Sequence, residues 1–274
     1  MPASRKPPIR VGRVLVIAGS DSGGGAGIQA DIKTVTVLGG YAATAITAVT
    51  VQNTLGVKAV HELSAELVQA QARAVLEDIG ADAIKTGMLV NASIVEAVAA
   101  LLDEARAIPA VIDPVMVAKG GHVLMSPLAV QALYALLIPR AALLTPNALE
   151  AQVLAGHQVA SLDDQRRVGE TLLRQGAGAV LMKGGHVPGA TVTDVLVTPT
   201  GEHLYEGVRL HHRHTHGTGC TLASACATGL AQGLELEDAV ARAFAYTAQA
   251  LAHPLGFGAG HGPLDHAWPL RGKA

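Results

Sequence analysis

Aromatic residues are scarce in this sequence: its 274 residues include one Trp, four Tyr and two Phe. Half of the chain is nevertheless hydrophobic. The core must therefore be built from Ala, Val, Leu and Ile, which allows helices and sheets to approach closely. A chain of this length is sufficient for one large α/β domain or two small ones.

An excess of charge of either sign is also missing. The 20 Lys and Arg residues nearly balance the 22 Asp and Glu residues, which gives a net charge of -2 and a pI of about 6.6. A basic surface that would attract nucleic acid or an anionic membrane is therefore not expected. Basic residues cluster only at Arg5, Lys6 and Arg10, inside a Pro-containing leader over residues 1–12 that we interpret as a flexible terminus.

Long hydrophobic runs are absent from the sequence as well. No stretch reaches the roughly 18 apolar residues of a membrane-spanning helix. The run Val14–Ala18 is too short for the core of a signal peptide, and no small-residue cleavage pattern follows it. We therefore expect a cytoplasmic protein without a membrane partner.

Cysteine is limited to Cys220 and Cys226, six residues apart on one predicted helix. Their Cα atoms would be about 9 Å apart, which is too far for a disulfide. The sequence has no CxxC motif, and its twelve His residues form no HExxH motif. We do not expect the histidine-rich segment His211–His216 to bind a metal ion.

What the chain does contain is a regular alternation of short apolar runs, glycine or polar turns, and segments of helical period. Parallel strands are predicted over residues 14–18, 42–51, 83–85, 110–113, 142–145 and 179–183. Helices are predicted over residues 27–38, 64–79, 92–107, 126–138, 146–155, 162–175, 219–233 and 236–253. Residues 192–197 and 203–210 predict an antiparallel hairpin. The alternation predicts one α/β domain over residues 1–274, with a mostly parallel sheet and helices on both faces.

Polar and glycine residues follow every predicted parallel strand, at the edge of the sheet where ligands bind in such folds. These segments are Gly19–Gly27, Gln52–Thr54, Thr86–Met88, Asp113–Met116, Thr145–Asn147 with Glu150, and Lys183–His186. The strand interiors are apolar. Packing alone does not explain this distribution, so it predicts a ligand site along this edge.

The loop Gly19–Gly27 has five glycines in nine residues. It is not a Walker A motif, because no Gly-Lys-Ser/Thr follows, and it is not a dinucleotide fingerprint, because the third glycine position falls on Ile28. Its glycine density predicts close backbone approach by a ligand. Asp31 follows in the first turn of the next helix, where it either complements the helix dipole or accepts hydrogen bonds from a substrate.

A second glycine-rich turn, Thr215–Cys220, opens onto an alanine-rich helix. The first N–H groups of a helix have no intrahelical acceptor, and the helix dipole adds positive charge. Such a helix start binds a phosphate or a developing oxyanion. Cys220 stands where a side chain could take a proton from a substrate hydroxyl. A turn that needs glycines only for backbone freedom is the alternative interpretation.

Two carboxylates and a lysine suit the same chemistry. Asp113 and Glu150 could hold Mg²⁺ together with water and substrate phosphates. Asn147 shares a helix face with Glu150, and Lys183 precedes two glycines, where it could contact a phosphate. Together with the Cys220 helix start, these residues predict phosphoryl transfer.

Seven motifs occur in an order and spacing that resemble a known family. They are Ala18–Asp31, Val51–Thr54, Lys85–Leu89, Asp113–Met116, Leu144–Asn147, Leu181–His186 and His216–Cys220. The chain resembles the hydroxymethylpyrimidine/phosphomethylpyrimidine kinases of thiamine biosynthesis over essentially its whole length. The resemblance implies a ribokinase-like three-layer α/β/α sandwich. It also implies ATP- and Mg²⁺-dependent phosphorylation of 4-amino-5-hydroxymethyl-2-methylpyrimidine, then of its monophosphate, by a homodimer.

Residue roles follow from the same resemblance. Gln52 would recognise the pyrimidine, in a pocket lined by Gly19, Asp31, Met88 and Val115. The nucleotide would contact Lys183, Thr145, Asn147 and Glu150, and Mg²⁺ would bind Asp113 and Glu150. Gly217, Thr218, Gly219 and Cys220 would form the anion hole, with Cys220 as the general base and its protonation state open.

Two other functions remain open at this point. A pyridoxal kinase, or an enzyme with both activities, would act on a similar hydroxymethyl-bearing ring. A sensor that binds the pyrimidine without turnover would lack a base, a metal carboxylate or the phosphate lysine, yet all are present. The chain departs from the family pattern at Ser22-Gly23, where Pro-Ser is frequent, and at His214, where Asn is frequent.

Overall fold

The structure, a computed structural model, describes residues 10–118 and 120–271. Its strands are β1 (Arg13–Asp21), β2 (Tyr41–Asn53), β3 (Gly56–Glu62), β4 (Ala83–Thr86), β5 (Ala110–Ile112), β6 (Leu143–Leu144), β7 (Val180–Met182), β8 (Thr191–Thr198) and β9 (Gly201–Val208). Its α-helices are α1 (Gly27–Val37), α2 (Ala65–Asp78), α3 (Ala92–Glu104), α4 (Pro127–Ala132), α5 (Ala148–Ala155), α6 (Leu162–Arg174), α7 (Thr218–Ala231) and α8 (Leu236–Ala252).

The described strands form one sheet in the order β3-β2-β1-β4-β5-β6-β7-β8-β9. The six inner strands, from β2 to β7 in this order, run parallel, whereas β3, β8 and β9 are antiparallel additions at the two edges. The chain direction across the sheet reverses at β1, which lies between β2 and β4. In such sheets the carboxyl ends of the strands beside the reversal border a crevice.

Hydrophobic cores on both faces of the sheet make the described part a three-layer α/β/α sandwich, as predicted. One core packs the sheet against α2 to α6, and the other packs it against α1, α7 and α8. Small residues bring α7 and α8 close together: a Cβ added at Gly229 would lie 2.6 Å from the Cβ of Ala239. The scarcity of aromatic residues thus corresponds to closely packed Ala- and Gly-rich helices.

Two elements differ from the sequence predictions. Strand β3 is not predicted, because its Lys, His and Glu side chains are exposed on an edge strand and leave no apolar run in the sequence. The helix predicted over residues 126–138 is α4 followed by a π-helical turn at Leu133–Leu137 and a 3-10 turn at Ile138–Arg140. Pro139 explains the break, since it has no N–H and clashes with the preceding helical turn.

Other predictions concern the ends of the chain, the cysteines and membrane insertion. Residues 1–9 of the predicted leader lie outside the described residues, and the single domain over residues 1–274 stays a prediction. Both cysteines are free, as predicted. Over residues 10–118 and 120–271, no helix has the length and apolarity to cross a membrane.

Candidate active site

The two glycine-rich loops pack directly on each other. Gly217 precedes α7 with a φ of 86°, and a Cβ on it would lie 1.8 Å from the carbonyl oxygen of Gly25. Gly27 opens α1 with a φ of 56°, and its Cβ would lie 2.3 Å from the Gly19 carbonyl oxygen. The glycine density that predicts close approach by a ligand is therefore explained at these positions by contact between backbone segments.

The first turn of α7 faces a cluster of charged side chains. A Cβ at Gly219 would lie 3.2 Å from Lys183 Nζ and 3.7 Å from Asp113 Oδ2. The turn itself is held by Thr221, whose N–H and hydroxyl both donate to the Gly217 carbonyl, at 2.9 and 2.8 Å. The structure thus brings the helix start, the ammonium and the carboxylate together, and anion binding by them stays a prediction.

The strand ladder holds the charged residues in place. The N–H of Asp113 donates to the Thr86 carbonyl at 3.1 Å, and the N–H of Lys183 donates to the Pro146 carbonyl at 2.9 Å. Each bond extends the parallel pairing one residue past the end of its strand. Both residues consequently reach the carboxyl edge of the sheet, on either side of β6, where their side chains meet.

Lys183 lies between two carboxylates. Its Nζ is 2.9 Å from Asp113 Oδ1 and 3.8 Å from Glu150 Oε2. Burial alone would lower the pKa of Lys183, but the two carboxylates outweigh it and raise that pKa. Burial, followed by the charge of Asp113, raises the pKa of Glu150 to about 7 against the attraction of Lys183. Glu150 is therefore only partly ionised at neutral pH.

This cluster fits a magnesium ion. Asp113 Oδ1 accepts from Lys183 and from the buried Thr145 hydroxyl at 3.2 Å, but Asp113 Oδ2 is buried without a partner among the described residues. In that part of the chain no group of three or more His, Cys, Asp or Glu side chains could hold a metal ion. Mg²⁺ needs no such cage, since it typically uses one or two carboxylates with water and substrate phosphates.

Asn147 and Glu150 also have a local structural role. Asn147 caps α5 by accepting from the N–H of Leu149 and of Glu150, and Glu150 Oε2 accepts from the N–H of Asn147 at 2.8 Å. This is a capping box. The spacing Asn-x-x-Glu directly after a strand is a sequence signal for a capping box. The interpretation of Asn147 and Glu150 as ligands did not take this structural role into account.

The Cys220 thiol lies beside oppositely charged groups. Burial raises the pKa of Cys220 to about 12, and the nearby Lys85 ammonium and Gly27 N–H, which favour the thiolate, only partly oppose this. At neutral pH the side chain is therefore a thiol. The position of Cys220 at a helix start does not by itself make the thiolate stable.

The predicted pocket residues do not all line one cleft: Gln52 lines a cleft whose lining does not include Gly19, Met88 or Val115. Gly19 packs against Met88: a Cβ on Gly19 would lie 2.3 Å from Met88 Cε. Val115 is partly exposed two residues after Asp113. Gln52 lines a cleft whose other lining residues are Asn53, Thr54, Leu55, Gly56, Val57, Ala118, Gly120, His216 and His261.

Asp31 is placed differently from the other predicted pocket residues. Its side chain is fully buried, 2.9 and 3.1 Å from the Nζ of Lys85, and it accepts from the Ser224 hydroxyl at 2.6 Å. The structure therefore gives Asp31 an ion-pair partner that neither sequence interpretation included. Its role toward a substrate stays a prediction.

The side chains that sequence reasoning missed are Asp21, His216 and Lys85. His216 Nε2 lies 2.9 Å from Asp21 Oδ2 and 3.2 Å from Gln52 Nε2. The signal for His216 was its position directly before the Gly-Thr-Gly-Cys turn, within a motif that carries the family resemblance, but the sequence predicts no role for its side chain. Its partners lie 195 and 164 residues away in sequence, which no local pattern reveals.

The fold is that of the ribokinase-like kinases, and an anion site beside a cleft at the carboxyl edge of the sheet is consistent with a small-molecule kinase. The family described as phosphomethylpyrimidine kinase matches residues 21–265. The chain belongs to this family.

Individual relatives agree with this assignment. The chain is 47% identical to a hydroxymethylpyrimidine/phosphomethylpyrimidine kinase of Streptomyces coelicolor, over 96% of this chain and 97% of the relative. It is 48% identical to the thiamine biosynthesis bifunctional protein ThiED of Geobacter sulfurreducens, again over 96% of this chain. The chain spans only 54% of that bifunctional relative.

The solved structures that resemble this chain include a phosphomethylpyrimidine kinase and a pyridoxal kinase. The phosphomethylpyrimidine kinase of Clostridium difficile superposes with a TM-score of 0.78 at 41% identity, covering 88% of this chain and 99% of that one. The pyridoxal kinase of Staphylococcus aureus in complex with AMP-PCP and pyridoxal superposes with a TM-score of 0.87 at 32% identity, covering 96% of each chain.

Proposed function

We propose that the protein transfers the γ-phosphoryl group of ATP to the hydroxymethyl oxygen of 4-amino-5-hydroxymethyl-2-methylpyrimidine. A second transfer to the resulting monophosphate gives the diphosphate. The observation that carries the proposal is the meeting of the α7 start with Lys183 and Asp113, next to the cleft that Gln52 lines. The family membership supports the choice of alcohol and of ATP.

At the phosphate end, Lys183 and the N–H groups of Gly219 and Cys220 bind the transferring group and stabilise its charge. Mg²⁺, held by Asp113 and Glu150, would neutralise nucleotide phosphates when bound. Thr145 orients Asp113 through its hydroxyl. Asn147 places Glu150 through the capping box and borders the nucleotide site.

At the alcohol end, Gln52 recognises the ring. An aminopyrimidine offers an N–H donor beside a ring-nitrogen acceptor, and a primary amide offers the complementary pair on one edge. Gly19, Met88 and Val115 line the pocket. Asp31 contributes indirectly, through its buried ion pair with Lys85.

Cys220 is proposed as the acceptor of the hydroxyl proton. Because its pKa is raised to about 12, the ready form is a thiol. In a loose phosphoryl-transfer transition state the hydroxyl needs little deprotonation before the bond to phosphorus forms. To take that proton Cys220 must first lose its own to solvent, so the thiol orients the hydroxyl and only the minor thiolate form acts as the base.

Incubation with ATP, Mg²⁺ and the alcohol, followed by mass measurement of the products, tests the proposal. We expect products carrying one and then two phosphoryl groups. The exposed-lysine variant Lys58→Ala should behave like the wild type, and Lys183→Ala should form little product. Hydrolysis of ATP without a phosphorylated pyrimidine would contradict the proposal.

Pyridoxal is the second candidate substrate, favoured by the similarity to a solved pyridoxal kinase complex. The two activities are separated by comparing kcat/KM for the two alcohols under identical ATP and Mg²⁺ concentrations. We expect the higher value for the pyrimidine. A higher value for pyridoxal would reverse the assignment.

We also propose that the enzyme is a cytoplasmic homodimer. Its free cysteines and its use of ATP suit the cytoplasm. Exposed apolar side chains at Val49, Val51 and Leu55, near one edge of the sheet, suit a subunit contact. Light scattering should give about twice the 27.9 kDa mass of the chain, and a mass equal to one chain would contradict the dimer.

A further inference from the structure

Three side chains connect the β1–α1 loop to the cleft: Asp21 contacts His216, and His216 contacts Gln52. We propose that Asp21 and His216 fix the orientation of the Gln52 amide, and thereby determine which pattern of hydrogen-bond donor and acceptor the cleft accepts on a heteroaromatic ring. The inference rests on the proposed function in one respect, namely that Gln52 contacts the ring. His216 and Asp21 are positioning residues in this scheme.

The first step is that Asp21 can only accept hydrogen bonds. Oδ1 accepts from the Gly23 N–H at 2.8 Å, and Oδ2 accepts from the N–H of Gly25 at 3.0 Å and of Ala26 at 2.8 Å. Burial opposes ionisation, but the contact with His216 and these N–H groups outweigh it and lower the pKa of Asp21. The carboxylate is therefore ionised at neutral pH.

The second step follows for His216. Its Nε2 lies 2.9 Å from Asp21 Oδ2, so Nε2 must carry a hydrogen to make this contact favourable. The same Nε2 is 3.2 Å from one terminal atom of the Gln52 amide. An amide nitrogen there would set two donors against each other, whereas the amide oxygen accepts a share of the Nε2–H bond.

The contact at the other end of the Gln52 amide independently supports the same orientation of this amide. The second terminal atom of Gln52 lies 3.3 Å from Thr50 Oγ1. The Thr50 hydroxyl donates to the Ser20 carbonyl at 3.0 Å, which leaves Thr50 Oγ1 as an acceptor toward Gln52. With the amide oxygen toward His216 and the amide nitrogen toward Thr50, the donor in each of these two contacts meets an acceptor.

The consequence concerns the edge of the amide that remains free. One lone pair of Oε1 and one N–H of Nε2 stay available side by side, and their order along the cleft is fixed. A ring with an amino group next to a ring nitrogen matches this order in only one orientation. Without the His216 contact, the Gln52 amide can rotate and exchange the positions of its oxygen and nitrogen. The preference for a ring with the amino group over a ring without it should then decrease.

Kinetics of His216→Ala test this consequence, with His203→Ala as the matched control because His203 is a half-exposed histidine paired with Glu237. The substrates are the aminopyrimidine alcohol and the same alcohol without its amino group. We expect His216→Ala to reduce the preference for the amino compound at least about tenfold, mainly through KM for that compound. KM for ATP should stay within about twofold. An unchanged preference in a less active variant would overturn the inference.

A second measurement does not depend on turnover. Long-range ¹H–¹⁵N correlation spectra of the wild-type enzyme report which nitrogen of His216 carries the hydrogen. We expect Nε2–H at neutral pH, and a ring protonated on Nδ1 alone would overturn the inference. A wild type that fails to phosphorylate the alcohol would contradict the proposed function instead, and the tautomer would still show whether the amide is fixed as proposed.

Discussion

Lys85 and Lys183 lie at the carboxyl ends of parallel strands in the same sheet, and each has an aspartate oxygen 2.9 Å from its ammonium. They differ in what surrounds the pair. Lys85 and Asp31 have no exposed side-chain surface, and both oxygens of Asp31 are bonded. The side chain of Lys183 is 12% exposed, and its partner Asp113 keeps one buried oxygen without an acceptor role among the described contacts.

The difference separates a structural ion pair from a ligand site. A buried pair whose polar atoms are all satisfied has nothing left to offer a ligand, and it stays charged only while both partners are present. A pair with an unused oxygen and a partly exposed lysine can exchange partners when phosphates and a cation arrive. We therefore expect Lys85 to contribute to stability, and phosphate binding by Lys183 remains our proposal.

The largest effect is expected from Lys85→Met. It leaves the Asp31 carboxylate buried without a cation, which should lower the free energy of unfolding by roughly 3–5 kcal/mol. Urea denaturation measures it, with Lys58→Met as the exposed control. The double variant Lys85→Met/Asp31→Asn should recover part of the loss. A loss below about 1 kcal/mol for the single variant would remove the contrast between the two lysines.

Lys183→Met should act on catalysis more than on folding. Losing one preorganised charged donor typically lowers kcat by about 10²–10³-fold. The cost in stability should be smaller than for Lys85, because 12% of the Lys183 side chain is exposed and Glu150, with its pKa of about 7, can take up a proton. Steady-state kinetics and urea denaturation of one preparation check both statements. A kcat within a few-fold of the wild type would disprove the assignment.

His266 is a buried basic group kept neutral, in contrast to both lysines. It contacts Thr221 at 3.0 Å, and burial lowers its pKa to about 4 from 6.5. The unfolded chain therefore binds a proton at higher pH than the folded one, so this contribution to stability is complete above about pH 6.5 and is lost as the pH falls toward 4. The shift corresponds to roughly 3 kcal/mol.

Urea denaturation from pH 7 to pH 4 measures this loss as the difference in pH dependence between the wild type and His266→Gln, because Glu150 and Asp194 titrate in the same range and contribute to both proteins. His253→Gln is the control, since His253 is exposed. An equal pH dependence in wild type and His266→Gln would show that other groups cause it.

Among these variants, Cys220→Ala should have the smallest effect, a decrease in kcat of about 10²-fold. The charge of Lys85 lowers the pKa of Cys220 and the charge of Asp113 raises it. The variant therefore also tests whether the balance of these two charges affects proton transfer. If the thiolate with a pKa of about 12 were the required form, kcat of the wild type would rise with pH from 6 to 9, and this slope would be absent in Cys220→Ala. A kcat within a few-fold of the wild type would remove Cys220 as the base.

Much of the fold and of the site was predictable because its signals are local. Short apolar runs predict the inner strands, and Ser64, where a helix is predicted to begin, is the N-cap of α2. The residues after each strand predict the phosphate end of the site, because parallel strands bring their carboxyl ends to one edge. Asp113 and Lys183 meet there although 70 residues separate them.

The remaining features were not predictable from local patterns. The partners of Asp31 and His216 are set by how α1, β4 and α7 pack, and each sequence segment alone is compatible with several partners. The pKa of Cys220 depends on burial, which the helix start does not indicate. Strand β3 lacks a sequence signal because an edge strand needs few buried residues.

The contact between Gly25 and Gly217 also limits how substrate choice could be redesigned. A side chain at Gly217 would overlap the Gly25 carbonyl oxygen, so neither loop has room to be reshaped by itself. An insertion near residues 22–26 would push on the turn that opens α7, and with it on the phosphate end. Libraries that vary the alcohol pocket should therefore treat the two loops as one unit and sample both together.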